Sequence, residues 1–138
     1  MKNVLVIFLI LVPALAFSQA EFTGCARFKT GKFQYVDDSS GTMIVTRTEK
    51  KQVEENVSTG VVTTLKIKWT SECQYQLIQK SSTDKDKRKW NGSVTEVTIL
   101  KVFPDGYEYT CGCKDGKGKK KANGIMTILK QTALIANK

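Results

Sequence analysis

The stretch VVTTLKIKWTSECQYQLIQ, residues Val61 to Gln79, decides the fold. From Val61 to Thr70 its residues alternate. Leu65, Ile67 and Trp69 fall on one side of an extended chain, and Lys66 and Lys68 on the other. From Glu72 to Gln79 the same period returns, with Cys73, Tyr75 and Leu77 on one face and Gln74 and Gln76 on the other. A period of two, held over two consecutive segments with one residue between them, marks a pair of half-buried strands joined by a tight connection.

The same reading extends outward in both directions. Towards the N-terminus, strands are expected at Arg27 to Val36, Thr42 to Glu49 and Gln52 to Val57, the last weak and polar. Asp37-Asp38-Ser39-Ser40-Gly41 and Ser58-Thr59-Gly60 supply turn chemistry between them. Towards the C-terminus a charged loop, Ser81 to Trp90, and the turn signal Asn91-Gly92 precede a strand at Ser93 to Phe103. Pro104-Asp105-Gly106 turns this into Tyr107 to Cys113. A lysine-rich loop then leads to Ile125 to Gln131 and a short tail with Leu134 and Ile135.

Connections this short place consecutive strands antiparallel and side by side. Eight strands in a meander leave two open edges, and closing the sheet removes them. The expected fold is all-β: an antiparallel eight-stranded up-and-down barrel, with a β-sandwich as the alternative. Such a barrel is just wide enough for packed side chains or one small ligand. Only Glu49 to Val57 could become a turn of helix. An outer-membrane barrel is disfavoured, because Lys66, Lys68, Gln74 and Gln76 would face lipid.

Before the first strand lies a secretory signal. Lys2 precedes an apolar run from Val4 to Leu15, and Ala14, Ala16 and Ser18 provide small residues for a peptidase. The run is short of the roughly 20 residues of a transmembrane helix. Residues 1–18 (or 1–20, if cleavage follows Ala20) are therefore expected to be removed. Residues 19–138 form one domain, in the periplasm or outside the cell. Losing Lys2 lowers the formal charge from +9 to +8. Lysine and arginine gather at Lys85, Lys87, Arg88 and Lys89, and again at Lys114, Lys117, Lys119, Lys120 and Lys121, both read as loop tips. The second cluster is a candidate contact for an acidic envelope partner. Aromatic and basic residues do not share a face, as a nucleic-acid groove would require, so no nucleic-acid partner is expected. The chain has no histidine, which excludes His-dependent hydrolases. Neither an enzyme nor a cofactor is expected.

Two segments carry a family resemblance. Gly31-Lys32-Phe33 resembles the Gly-x-aromatic signature that opens lipocalins and related calycin barrels. The longer stretch from Cys25 to Phe33, CARFKTGKF, is similar to the start of small exported lipocalin-like proteins of Gram-negative bacteria. Those chains carry a Trp-x-x-x-Cys-x-Tyr segment in mid-sequence, matched here by Trp69, Cys73 and Tyr75. The resemblance implies a lipocalin-like barrel that binds a small apolar ligand. The chain departs from the pattern twice: Phe33 stands where lipocalins have tryptophan, and the last strand offers no arginine to stack on it.

Four cysteines in an exported chain point to disulfides. The preferred pairing is Cys25 with Cys73, tying the start of the first strand to that of the fifth. Cys111 and Cys113 flank Gly112 on one strand and point to the same side. A bond between them would need a bulge or bend at Gly112. They are either ordinary disulfide cysteines or, as a minor alternative, a thiol-redox pair. Phe33, Tyr35, Trp69, Tyr75, Tyr107 and Tyr109 recur at period-two positions; pointing inward, they would line a cavity or fill a core. Phe33, Trp69, Tyr75, Tyr107 and Tyr109 are the expected ligand-binding set. Among the carboxylates, Glu96 and Glu108 could meet across strands. The leading expectation is a monomeric, non-catalytic binding protein for a small hydrophobic ligand or envelope component. The alternative is a basic interaction module with a filled core.

Overall fold

A computed structural model describes residues 24–114 and 119–130, with side chains for 24–112 and 122–130. The expected signal (1–18) and the tail with Leu134 and Ile135 lie outside the described residues.

The chain is all-β: eight antiparallel strands in up-and-down order close into a barrel, which rules out the sandwich. The strands are β1 (Gly31–Asp37), β2 (Gly41–Arg47), β3 (Lys51–Asn56), β4 (Val62–Trp69), β5 (Gln74–Ser82), β6 (Val94–Phe103), β7 (Gly106–Lys114) and β8 (Lys119–Ile128). The segment considered for a helical turn is strand β3. The seam is thin. β1 meets β8 through Phe33 opposite Ile128 and Gln34 opposite Thr127, and the Leu129 amide extends it by donating to the Lys32 carbonyl at 2.9 Å.

Val61 to Gln79 forms the expected pair of strands. Leu65 and Ile67 are buried on the inner face of β4 while Lys66 and Lys68 are exposed, and Tyr75 and Leu77 are buried on β5. Turn chemistry also acts as read. Asp37 accepts hydrogen bonds from the amides of Ser39 (2.9 Å) and Ser40 (2.8 Å). Gly41, at φ +80°, then returns the chain into β2. Asn56 closes the β3–β4 turn in the same way, accepting from the Ser58 and Thr59 amides.

Four local expectations are corrected. Arg27 and Phe28 do not begin β1; Cys25–Phe28 is a 3₁₀ turn lying across one end of the barrel. The charged loop is shorter than read, because β5 continues through Ser82 and Asp86–Trp90 forms a second 3₁₀ turn. Lys119, Lys120 and Lys121 are not loop residues but open β8, paired with Lys114, Cys113 and Gly112. Gly112 makes no bulge, since it pairs regularly with Glu96 on one side and Lys121 on the other.

Bulges occur instead at Lys80 and Leu100. Leu65 pairs with Gln79 and Thr64 with Ser81, so Lys80 has no partner on β4. Ile99 pairs with Tyr109 and Lys101 with Glu108, leaving Leu100 without a partner on β7 and 54% exposed. Each extra residue reverses the alternation. Inward positions on β5 pass from Gln79 to Ser82, and on β6 from Ile99 to Val102.

The first 3₁₀ turn plugs one end. Phe28 is completely buried, with its ring centroid 4.7 Å from Tyr107 and 6.3 Å from Phe33. Below it pack Val45, Ile67, Val97, Ile99 and Met126. A disulfide between Cys25 and Cys73 pins this plug to the β4–β5 turn. Arg27 secures it a second time, its guanidinium donating to the Phe103 carbonyl. Hydrophobic packing therefore concentrates in one half of the barrel and leaves the other half open.

Candidate functional site

The open half holds a cavity of about 530 Å³. Its walls come from the C-terminal half of β1, the N-terminal half of β2, and so on alternately around the barrel. The cavity consequently opens at the end that carries the β1–β2 turn and the second 3₁₀ turn. Leu65, Leu77, Val97, Met43 and Met126 give it apolar walls, and Tyr35, Tyr75 and Tyr109 give it aromatic ones. Apolar walls with a few convergent polar groups are the usual make-up of a small-molecule site.

Four polar residues of the wall, Tyr35, Gln52, Glu54 and Tyr75, join Arg47 and Tyr107 behind it in one continuous chain. The hydroxyls of Tyr107 and Tyr75 lie 3.1 Å apart at the packed end. Arg47, only 2% exposed, donates to the Tyr75 hydroxyl (3.1 Å), to the Phe28 carbonyl (2.9 Å) and through Nε to Gln52 Oε1 (2.7 Å). Its guanidinium also stacks between Phe33 (5.1 Å) and Tyr75 (4.8 Å). Gln52, itself buried, turns its amide nitrogen to Glu54 Oε1 at 2.7 Å, and the Tyr35 hydroxyl donates to Glu54 Oε2 at 3.2 Å. One side-chain amide thus stands between a buried cation and a half-buried carboxylate. Its oxygen faces the donor and its nitrogen the acceptor; the reverse orientation would oppose like groups at both ends.

Burial pushes the Glu54 carboxyl above its ordinary value, against the pull of the Gln52 and Tyr35 hydrogen bonds. Burial likewise raises the phenol of Tyr35, with the Glu54 charge acting in the same direction. At the mouth, the Ser39 hydroxyl and the turn amides hold Asp37 below the usual carboxylate range.

The expected binding set divides. Tyr75 and Tyr109 line the cavity, and Tyr109 gains its place because Gly124 faces it across β7 and β8. Tyr107 and Phe33 belong to the packed half, Tyr107 being fully buried. Phe33 also borders a second, more open hollow of about 510 Å³ beside the plug, shared with Arg27, Lys32 and Arg47. Trp69 stacks on Tyr75 at 4.6 Å without reaching the cavity, and its indole nitrogen is buried with no hydrogen-bond partner. Cys111 lines the cavity, whereas the Cys113 side chain lies outside the described residues. So do the side chains of Lys114, Lys117, Lys119, Lys120 and Lys121. Glu96 and Glu108 do not meet, since Glu96 lies opposite Gly112 and Glu108 opposite Lys101.

Arg47, Gln52 and Glu54 were not expected in the site. The first was legible: Met43, Val45 and Arg47 share a period-two face, and Val45 is completely buried. No arginine comes from the last strand to stack on Phe33, and the one that does so comes from β2. Gln52 and Glu54 gave no such signal, because an inward polar pair has the same period as an outward one. At the mouth the second 3₁₀ turn is tied down by Gln79, which donates to the Lys87 carbonyl at 2.7 Å, and by Arg88, which donates to the Ser82 carbonyl at 3.0 Å. It brings Lys87 and the half-exposed Trp90 to the rim.

No protein-family model matches the chain, and neither the curated proteins nor the solved structures contain a match.

Proposed function

We propose that the protein is an exported, lipocalin-like binding protein that holds one small, mostly apolar molecule in the open half of its barrel without converting it chemically. The observation that carries this reading is the cavity of about 530 Å³ inside a barrel narrow enough to have been filled by side chains. The alternative, a basic interaction module, requires a filled core, and the open half of the barrel speaks against it. The Cys25–Cys73 disulfide supports export, because such a bond persists in an oxidising compartment.

The test is a titration of the oxidised mature protein with N-phenyl-1-naphthylamine, an apolar dye that brightens out of water. Saturable binding of one dye per chain, with quenching of tryptophan emission through Trp90 at the rim, is the expected result. A linear, non-saturating signal would remove the reading.

A further inference from the structure

We propose that the cavity selects a cationic amphiphile, a small amine whose ammonium group seats on Glu54 between Tyr35 and Tyr109 while its apolar part lies on Leu77 and Val97. This rests on the ligand-binding reading above and names the ligand class for the same site.

Four features of the cavity converge on it. First, Glu54 faces the cavity with acceptor capacity to spare. An ionised carboxylate has about four lone-pair sites, and among the described residues each Glu54 oxygen takes one hydrogen bond. Second, neither of those donors is charged. The nearest cation along the network, Arg47, spends its own hydrogen bonds on Gln52, Tyr75 and the Phe28 carbonyl and lies on the plug side of Gln52. The charges of Arg47 and Lys87 reach Glu54 through space. A cavity carboxylate whose described hydrogen-bond donors are neutral is still costly, and a ligand cation offsets that cost. Third, Tyr35 and Tyr109 both line the cavity, and an aromatic ring is a surface that a cation prefers once it leaves water. Fourth, the described lining carries more carboxylates than bases. Among the described residues of the lining, Asp37, Asp38 and Glu54 are acidic and Lys87 is basic. Carboxylates set into the wall favour a cation over an anion at that point.

Octylamine, octanol and octanoate share a chain length and differ in the head group, and competition of each against bound N-phenyl-1-naphthylamine separates them. Octylamine is expected to displace the dye at least about tenfold more tightly than octanol, the scale of one buried charge-assisted contact, with octanoate weakest. In Glu54→Gln, octylamine should fall to within about threefold of octanol while octanol itself is unchanged. Equal displacement by all three, tighter octanoate, no displacement by octylamine, or an amine preference that survives Glu54→Gln would each overturn the inference. The wild-type comparison decides by itself if Glu54→Gln does not fold. Failure of the dye to bind at all would instead remove the ligand-binding reading, so the two failures are distinct.

Discussion

Gly124 lies directly opposite Tyr109 in the β7–β8 register, and a β-carbon at Gly124 would stand 2.5 Å from the phenol oxygen and 2.6 Å from the carbon that bears it. Tyr109 therefore occupies its place in the cavity wall because its neighbour has no side chain. Replacing glycine by alanine in a strand ordinarily gains about 0.4–1 kcal/mol through the unfolded chain, but forced overpacking costs about 1–3 kcal/mol. The second effect wins here. Gly124→Ala should lower stability to urea by about 1–2 kcal/mol and weaken dye binding as the ring is pushed into the cavity. Unchanged urea midpoint and dye affinity would show that Tyr109 has room to move elsewhere.

Gln52 joins two charged groups that do not touch. Gln52→Leu removes its bond from Arg47 and its bond to Glu54, leaving the guanidinium Nε unpartnered at a site only 2% exposed. Hydrogen bonds to charged groups contribute about 1.5–3 kcal/mol each, and the two are coupled, so a loss of about 3 kcal/mol is expected. Equilibrium urea unfolding measures it. A loss below about 1 kcal/mol would mean that water or a rearranged Tyr75 replaces the amide.

The raised ionisation of Glu54 sets the sign of a pH effect. The folded protein keeps the proton at pH values where the unfolded chain, with its carboxyl near 4.5, has released it. Between 4.5 and the raised value the native state binds more protons, so stability falls as pH rises through that window. Glu54→Gln lacks this contribution. The stability of wild type relative to Glu54→Gln should be greatest at and below pH 4.5 and decline towards neutrality, as followed by urea unfolding at a series of pH values. A difference that grows with pH would mean that the ionised carboxylate is the form the fold favours.

The disulfide holds the plug. Cys25 and Cys73 are separated by 48 residues, and closing a loop of that size stabilises by about 4 kcal/mol on the chain-entropy view. The double variant Cys25→Ser, Cys73→Ser should lose an amount of that order in urea unfolding. Its first 3₁₀ turn, no longer pinned to the β4–β5 turn, should exchange its amide hydrogens faster than the strands do. Equal protection in both proteins would assign the plug's anchorage to Phe28 and Arg27 instead.

Much of this architecture could be read from the order of residues. Alternation around Leu65, Ile67, Tyr75 and Leu77 is a local property, and the short connections leave an antiparallel meander as the simplest arrangement. Asp37 and Asn56 close their turns through their own side chains. The plug was harder to read, because Phe28 lies five residues before Phe33, out of phase with the face through Phe33 and Tyr35, and only the 3₁₀ turn carries it across the barrel end. The polar interior was hidden for a different reason. Val53 looks like the inward residue of β3, yet Gln52 and Asn56 are the buried ones. Their burial depends on partners from β2 and from the β1–β2 turn that no local pattern contains. Tyr35 gave a partial clue, since its hydroxyl required a buried acceptor, and Glu54 supplies it.

Lys80 and Leu100 have a role that their side chains do not explain. Each is the one extra residue that shifts its strand by half a period, so that Ser82 and Val102 face inward beyond the bulge. What matters at these two positions is the residue count and not the residue type. Exchange for almost any amino acid keeps the two halves of β5 and β6 in phase with their neighbours. Deletion of either would put every later side chain of that strand on the wrong face. Lys80 and Leu100 are spacers, free to vary in chemistry and fixed in number.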